Sequence, residues 1–271
     1  MARQSGHVKY VGTIGDIRHF KIKGNSGYFA GLKGGPTGDQ VLTAPEFART
    51  RENMSEFTAC AMAGKSIRVG FSALMKQMSD PQLTGRLTGI MKKINLEDGS
   101  EARGQRAILI SQQSQYLTGL DFNKNKSLVR ILSAPFTLTP ETDRSGSNLA
   151  FADFIPANMV NAPAGTTHFR LINALAIVSD FAYNQQSGNY ESVDPANNEK
   201  GAITYSDYLD IKQPTGNISL DTNIPGLVGI SDSSTVLNAI GIEFYQKVNN
   251  EYYLLNSGHS LQLVAAYNST L

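Results

Sequence analysis

One long helical region organises this sequence: residues 43–94 read TAPEFARTRENMSEFTACAMAGKSIRVGFSALMKQMSDPQLTGRLTGIMKKI. Thr43 and Glu46 have the spacing of a capping box, and Pro45 stands where a first helical turn accepts proline. Apolar residues then recur at intervals of three, four or seven, which predicts one narrow stripe along a helix. The stripe, interrupted by one arginine, consists of Phe47, Met54, Phe57, Ala61, Gly64, Arg68, Phe71, Met75 and Met78. Its narrowness indicates a seam against a partner.

The helical region is predicted to divide. Gly64 and Ser66 mark a kink, after which a second helical stretch covers about residues 65–78. Asp80 and Pro81 supply a new cap and a first-turn proline. The following helix has an apolar face made of Leu83, Leu87, Ile90, Met91 and Ile94.

Two glycines interrupt that last helix. Gly85 and Gly89 lower its stability unless another backbone packs closely against them. Cys60, the single cysteine, lies among alanines and is predicted to be a buried small apolar residue. One cysteine excludes an internal disulfide framework.

The N-terminal arm reads as short strands separated by turns. Charged and apolar residues interleave on either side of the turn-forming sequence GNSG at 24–27, which predicts a hairpin over about residues 16–32. A second break follows at residues 33–38, which contain glycines and a proline. A hairpin of this size is not stable alone, so we expect it to join a sheet in this chain or in a neighbour.

The character of the sequence changes after about residue 105. Short apolar runs are bounded by Asn, Ser, Pro and Gly, and Asn249-Asn250 predicts a hairpin turn between two such runs. Residues 183–235 are polar and are expected to form long surface loops. The whole pattern predicts an α+β chain that is mostly β, with an antiparallel β-sandwich or jelly-roll-like body. The predicted domains are a β-hairpin arm at 1–42, a helical segment at 43–104 and the sandwich body at 105–271.

Charge is distributed unevenly along the chain. Residues 1–106 carry 16 Lys and Arg against 9 Asp and Glu, a net charge of +7, whereas residues 107–271 carry 8 against 14, a net charge of −6. Opposite charges allow one half of a copy to attract the other half of a neighbour, or allow the basic end to meet a polyanion. A chance imbalance spread over a folded surface is the third interpretation.

Targeting signals are weak. No apolar run reaches the roughly 18 residues that a membrane-spanning helix needs. The first residues, MARQSGH, lead into no apolar segment of the secretory type. We therefore expect no membrane span and synthesis in the cytoplasm without a Sec signal. The final location stays open, with an extracellular or particle assembly among the alternatives.

No motif in the sequence indicates an enzyme. Residues 59–66 (ACAMAGKS) resemble a phosphate-binding loop, but Ala59 replaces its first glycine and a helix precedes it in place of a strand. The four histidines, His7, His19, His168 and His259, are far apart and lack metal-ligand spacing. The sequence therefore predicts no enzymatic activity, no cofactor and no metal site.

The segment 43–57, TAPEFARTRENMSEF, carries a resemblance. Together with the Gly-rich arm before it and Gly241-Ile242-Glu243-Phe244-Tyr245-Gln246 near the end, it resembles a family of uncharacterised bacterial proteins. The resemblance covers most of the chain and is tied to no known activity. It implies that the arm, the helix and the terminal strands belong to one architecture.

These observations predict a non-enzymatic structural subunit that self-assembles into a filament, tube, shell or virion-like particle. Strand exchange by the arm and head-to-tail contacts would join the copies. The expected arm contacts are Tyr10, Ile17, Phe20, Ile22, Tyr28 and Phe29. Helical-segment contacts from Arg49, Arg51 and Arg68 would meet acidic loops around Asp207, Asp210 and Asp232.

Two other functions stay open. A surface-binding module for carbohydrate or another cell-surface ligand would use loops around Tyr183, Tyr190, Tyr205 and Tyr208. Nucleic acid could bind the basic N-terminal third, where lysines and arginines alternate with aromatic residues that suit single strands. Salt-sensitive binding would mark that third function.

Overall fold

The structure is a computed structural model that describes residues 1–269. It divides into two compact units, Met1–Arg51 and Glu52–Leu271. Within the described residues there are 15 β-strands and 6 α-helices, and the sheets are antiparallel. The prediction of an α+β chain dominated by antiparallel strands is confirmed.

The first unit is built on a four-stranded sheet. Its strands are β1 Ala2–Arg3, β2 Gly12–Ile14, β3 Ile17–Lys21 and β4 Tyr28–Leu32, arranged in the order β1-β4-β3-β2. The predicted hairpin is confirmed, because β3 pairs with β4 from Ile17 opposite Leu32 to Lys21 opposite Tyr28. Gly24 in the turn adopts φ +83°, a conformation that favours glycine.

The predicted cap at Thr43 is wrong. A short helix α1, Gly38–Thr43, comes first, and its capping box is formed by Thr37 and Gln40. Thr43 is the last residue of α1, and its hydroxyl donates to the Asp39 carbonyl. A 3-10 turn at Pro45–Phe47 follows, in which the proline stands at the start as expected.

Three longer helices follow: α2 Ala48–Gly70, α3 Ser72–Met78 and α4 Leu83–Glu97. The predicted kink at Gly64 is wrong, because α2 continues without a break to Gly70. Gly64 instead allows close packing: a Cβ there would lie 3.4 Å from the Leu87 Cβ on α4. The chain changes direction at Phe71, whose φ and ψ are −103° and 20°.

The buried face of α2 is not the predicted stripe. Met54 and Phe57 are 50% and 57% exposed. The buried residues of α2 are mostly small, namely Glu56, Ala59, Cys60, Ala63, Gly64, Ser66 and Ile67. Gly64 is the one of them that belongs to the predicted stripe, and two further stripe residues, Phe71 and Met78, are buried beyond α2. Small side chains let α2 approach its neighbours closely, so close packing replaces the burial of large residues as the basis of this contact.

The apolar face predicted for α4 is largely confirmed. Leu83, Leu87, Met91 and Ile94 are buried. Gly85 and Gly89 face open space, where an added Cβ would meet nothing within 4 Å. No backbone in the described chain therefore compensates for their cost to the helix.

The remaining elements are mostly strands. They are α5 Leu128–Ile131, β5 Phe136–Pro140, β6 Gly146–Phe151, α6 Pro156–Met159, β7 His168–Ser179, β8 Phe181–Asn184, β9 Asn189–Ser192, β10 Gly201–Tyr205, β11 Leu209–Asp210, β12 Ile218–Asn223, β13 Ser234–Val248, β14 Glu251–Leu254 and β15 Ser260–Tyr267. One of the short apolar runs of this region, Leu128–Ile131, forms a helical turn and not a strand. The hairpin predicted at Asn249 is confirmed, with φ +56° at that residue and Val248 paired with Glu251.

The second unit has three layers around one large sheet. β7 and β13 form its centre, with β10 and β11 along the outer edge of β7, and β14 and β15 along β13. Helices α2–α4 cover one face, where Ile172, Ala174 and Ala176 pack against them. A smaller sheet, β12-β6-β5, covers the other face and contacts Phe169 and Phe244. The sandwich therefore has a helical layer on its other side.

Candidate functional site

The sheet of the first unit lacks a hydrophobic core. Across residues 1–51, all of which the structure describes, only Gly27 is buried. Ile14, Ile17 and Leu32 stand opposite one another on three adjacent strands and so share one face of the sheet. Their side chains are 58%, 45% and 82% exposed. We call these three residues the arm row.

The other predicted arm contacts lie on the same sheet or next to it, and Phe20 and Phe29 stand on the opposite face from the arm row. Tyr10 is 50% exposed and its ring contacts that of His19, while Ile22 is 39% exposed. The rings of Phe20 and Phe29 contact each other across β3 and β4, and Lys21 lies over the ring of Tyr28. Four of the predicted arm residues therefore lie on one small sheet, while Tyr10 and Ile22 lie just outside its strands.

The predicted arginines differ in their surroundings. One terminal nitrogen of Arg51 donates to the carbonyls of Val41 and Ala44 at 2.9 Å each, so Arg51 ties together the chain around α1. Arg68 is half-buried, and its Nε is buried without a partner in the described chain. Arg49 lies in the first turn of α2.

The three predicted aspartates are exposed but do not lie together. Asp210 pairs with His168 at one end of β7. Asp232 precedes Ser234, which pairs with the other end of β7. Twelve residues of extended strand separate those ends by roughly 37 Å. Asp207 lies near Asp210, just after β10.

A cluster of tyrosines occupies the end of the large sheet beyond the helical layer. The rings of Tyr208 and Tyr252 are stacked with centroids 3.8 Å apart and an interplanar angle of 3°, and Tyr245 meets Tyr208 edge-on at 4.9 Å. The guanidinium of Arg170 lies 4.4 Å from the ring centroid of Tyr205 and 4.9 Å from that of Tyr208. We call Tyr205, Tyr208, Tyr245 and Tyr252 the tyrosine cluster.

A buried carboxylate lies beside these rings. Glu243 is directly opposite Arg170 in the sheet and accepts a 2.7 Å hydrogen bond from the Tyr245 hydroxyl. Burial, followed by this hydrogen bond, raises the pKa of Tyr245. Tyr183 and Tyr190 form a separate pair on the β8–β9 hairpin, and Tyr190 is only 5% exposed.

A buried carboxylate with several hydrogen bonds lies in the second unit: Glu56 on α2, which is 1% exposed. Two nitrogens of the Arg106 guanidinium donate to the Glu56 carboxylate, at 2.9 and 3.1 Å, and the Gly104 amide donates to the same carboxylate at 2.7 Å. Lys92 on α4 donates to the same carboxylate and to Asn95 Oδ1. We call Glu56, Lys92 and Arg106 the Glu56 cluster.

Electrostatics keep Glu56 ionised. Burial by itself would raise the pKa of this carboxyl group, but the hydrogen bonds from Arg106, Lys92 and the Gly104 amide outweigh it. The net result is that the pKa of Glu56 is lowered below its usual value. Two cations and one carboxylate leave the cluster with a positive charge.

An open cleft of about 450 Å³ adjoins this cluster. The cleft is lined by Asn53, Glu56, Lys92, Leu96, Glu101, Arg103 and Arg106. Arg103 is 3.5 Å from Glu52 in a pair whose side chains are 55% and 29% exposed, so that pair constrains it weakly. Basic groups therefore converge on one polar cleft.

Sequence reasoning did not find the Glu56 cluster. Its members come from α2, α4 and the loop after α4, so their spacing in the sequence carries no motif. One signal was present: Glu56 shares a helix face with Ala59, Cys60 and Ala63, and an acidic residue on a face of small residues indicates a buried, paired charge.

Comparison with known proteins assigns no family to this chain. No protein-family model, curated protein or solved structure matches this chain. Among residues 1–269, no helix combines the length and apolar composition needed to cross a bilayer.

Proposed function

We propose that this protein is a non-enzymatic structural subunit that self-assembles through its N-terminal unit into a filament, tube, shell or virion-like particle. The observation that carries the proposal is the arm row, three exposed aliphatic side chains on a sheet that buries no hydrophobic residue. Sheets gain stability by burying one face, so this sheet needs a covering surface. Exposed contiguous apolar patches of this kind mark interaction sites.

The distribution of charge along the chain favours a second copy of this protein as the partner of the first unit. Residues 1–51 carry 8 Lys and Arg against 3 Asp and Glu, a net charge of +5, and residues 52–271 carry 16 against 20, a net charge of −4. The first unit of one copy is therefore electrostatically complementary to the second unit of another. A contact between two different surfaces repeats head to tail and builds a fibre, or a closed ring or shell.

Short outer strands leave room for strand addition as well. β1 and β2, the outer strands of the sheet, have two and three residues. Strand addition at such an edge gains affinity from main-chain hydrogen bonds. A strand added beside β2 would extend the sheet next to Ile14, so the face that carries the arm row would become wider.

The test is the mass and shape of the full-length protein across concentration, by light scattering and negative-stain microscopy. We expect ordered particles or fibres from the wild type. The double variant Ile17→Lys/Leu32→Lys places charges in the arm row and should yield monomers with unchanged far-UV circular dichroism. Removal of residues 1–40 should have the same effect on assembly.

A matched control adds one charge elsewhere. Val129→Lys changes a side chain that is 70% exposed in the second unit, and it should assemble like the wild type. A wild-type protein that stays monomeric at every concentration, or a double variant that assembles normally, would refute the proposal.

The tyrosine cluster favours a second function, a surface-binding module for carbohydrate. Tyr208 is 38% exposed and lies beside Arg170 and the buried carboxylate of Glu243. Aromatic rings with a few polar groups form an amphipathic surface of the kind that binds ligands with one apolar side and several hydroxyls. Glycan-array binding by the monomer tests this function.

The chain offers a matched pair for that test. Tyr208→Ala removes a ring of the cluster, whereas Tyr253→Ala removes a ring that is 57% exposed on the opposite side of β14 from Tyr252. Glycan binding that is lost only in Tyr208→Ala supports the module. Equal binding by both variants would exclude the tyrosine cluster as the binding surface.

A further inference from the structure

We propose that the cleft beside the Glu56 cluster binds a small molecule through a phosphate or carboxylate group. The proposal is independent of self-assembly, because every residue of the cleft belongs to the second unit and lies away from the arm row in the sequence. It rests on the convergence of Lys92, Arg103 and Arg106 on one polar cleft.

The cleft has hydrogen-bond donors beyond those that hold Glu56. A lysine ammonium has three N–H groups and an arginine guanidinium has five. Two of the Lys92 donors go to Glu56 and Asn95, and two of the Arg106 donors go to Glu56. These bonds leave one N–H of Lys92 and three of Arg106, and Arg103 adds a guanidinium whose Nε lies 3.5 Å from the Glu52 carboxylate. Guanidinium groups match the planar geometry of carboxylates and phosphates.

The net charge of the lining favours an anion. Lys92, Arg103 and Arg106 face two carboxylates, Glu56 and Glu101. Glu56 is already bonded to two cations and one amide, so its charge is neutralised where it stands. Glu101 is exposed, where solvent screens its repulsion of a ligand. The lining itself therefore carries one positive charge, which Glu52, paired with Arg103 outside the lining, partly offsets.

The loop that carries the arginines is fixed in place. The Asp98 carboxylate accepts from the Ser100 and Ala107 amides at 2.9 and 2.7 Å, which closes the loop at both ends. Asn95 and Tyr190 donate to the Arg106 carbonyl at 2.7 and 2.9 Å.

Gly104 completes this arrangement. It adopts φ +92°, and a Cβ there would lie 3.1 Å from the Glu52 Cα, so the loop packs tightly on α2. A site whose groups are positioned before binding loses less entropy when the ligand arrives.

The dimensions limit the ligand to a small polar molecule. The cleft measures about 450 Å³, within the range of ligand sites in proteins. Leu96 is the apolar contributor to the lining, and its side chain is 55% exposed. The walls therefore suit polar and ionic contacts.

Isothermal titration calorimetry of the full-length protein tests the proposal, with inorganic phosphate and succinate as separate probes at constant ionic strength. We expect saturable binding of at least one probe with a Kd of about 1 mM or tighter. The probe that binds identifies the anion class. Absence of saturable binding for both probes would overturn the proposal.

Two variants distinguish binding in the cleft from nonspecific attraction of anions to the protein. Arg103→Gln removes a weakly paired cation of the cleft and should weaken binding by about tenfold, the value of one charge-assisted hydrogen bond. Lys93→Gln removes an exposed cation from α4 that does not line the cleft, and it should bind like the wild type. Equal affinities for the wild type and both variants would also overturn the proposal.

Discussion

Gly70, the last residue of α2, packs directly on Ala176 of β7: a Cβ atom at position 70 would lie 2.6 Å from the Ala176 Cβ. Gly201 on β10 lies at the same contact. A Cβ atom at position 201 would lie 2.8 Å from the Leu175 carbonyl oxygen and still closer to the Gly70 carbonyl oxygen. The helical layer thus reaches the large sheet at a point where neither partner has space for one more carbon atom.

Gly70→Ala should therefore destabilise the protein. Overpacking a close contact costs about 1–3 kcal/mol, which exceeds the gain in helix propensity from alanine. Urea unfolding followed by circular dichroism measures the change, and we expect a lower midpoint at an unchanged m-value. A midpoint equal to that of the wild type would show that α2 shifts without cost.

The same substitution in α4 should have the opposite effect. Gly85 lies in the first turn of α4 and Gly89 in its interior; both are exposed and have nothing within 4 Å of an added Cβ. Gly85→Ala and Gly89→Ala should each raise the free energy of unfolding by about 0.5–1 kcal/mol. These two variants are the control for Gly70→Ala, because their urea midpoints should rise whereas that of Gly70→Ala should fall. A decrease would reveal a surface packed against α4 in solution.

Glu56→Gln should lower stability in a pH-dependent way. Because the pKa of Glu56 is lower in the folded chain than its usual value of 4.5, the ionised carboxylate stabilises the fold. That contribution is complete above the unfolded pKa and is lost as the pH falls through the folded pKa. At pH 7 we expect a loss of about 3 kcal/mol, because two cations lose their buried partner.

Unfolding measurements between pH 7 and pH 3 check this prediction. The difference in unfolding free energy between the wild type and Glu56→Gln should shrink as the pH falls below about 4.5. Glu101→Gln, an exposed position in the same cleft, should change stability by less than about 0.5 kcal/mol at any of these pH values. A difference that is constant with pH would contradict the assigned role of the Glu56 charge.

Cys60 should be unreactive while the protein is folded. Its side chain is 0% exposed, and burial raises the pKa of the thiol to about 11, so little thiolate forms at pH 8. A chromogenic disulfide reagent should modify it rapidly only after urea is added. Met54→Cys in a Cys60→Ala background places the thiol at a site on α2 that is 50% exposed, where reaction should be fast without urea. Rapid labelling of Cys60 in the native protein would contradict its burial.

The sheet core was predictable because its signals are local. Two of the apolar runs after residue 105 form β7 and β13, which are buried on both faces, and the turn residue Asn249 adopts a positive φ in its hairpin. The strands β9–β12 were missed because residues 183–235 are rich in turn-forming and polar residues. In β12, for example, Ile218, Leu220 and Thr222 are the buried positions, a short alternation within a polar stretch.

The helical layer shows where pattern reasoning fails. A search for large apolar residues selects Met54 and Phe57, yet the contact face of α2 is carried by Ala59, Cys60 and Ala63, which permit close approach. The Glu56 cluster joins residues that are 36 and 50 positions apart, so only the folded chain brings them together. The pairing of these charges therefore depends on the tertiary structure.

The pairing of β7 with β13 has a consequence for synthesis of the chain. β7 ends at Ser179 and β13 begins at Ser234, so a ribosome adding 5–20 residues per second needs roughly 3–11 seconds to make residues 180–233. During that interval an apolar strand of twelve residues has left the ribosome without its central neighbour. β10 emerges sooner but pairs only with residues 172–176 along one edge. The nascent chain therefore carries an apolar strand without its main partner for seconds, and the large sheet closes only after β13 has been made.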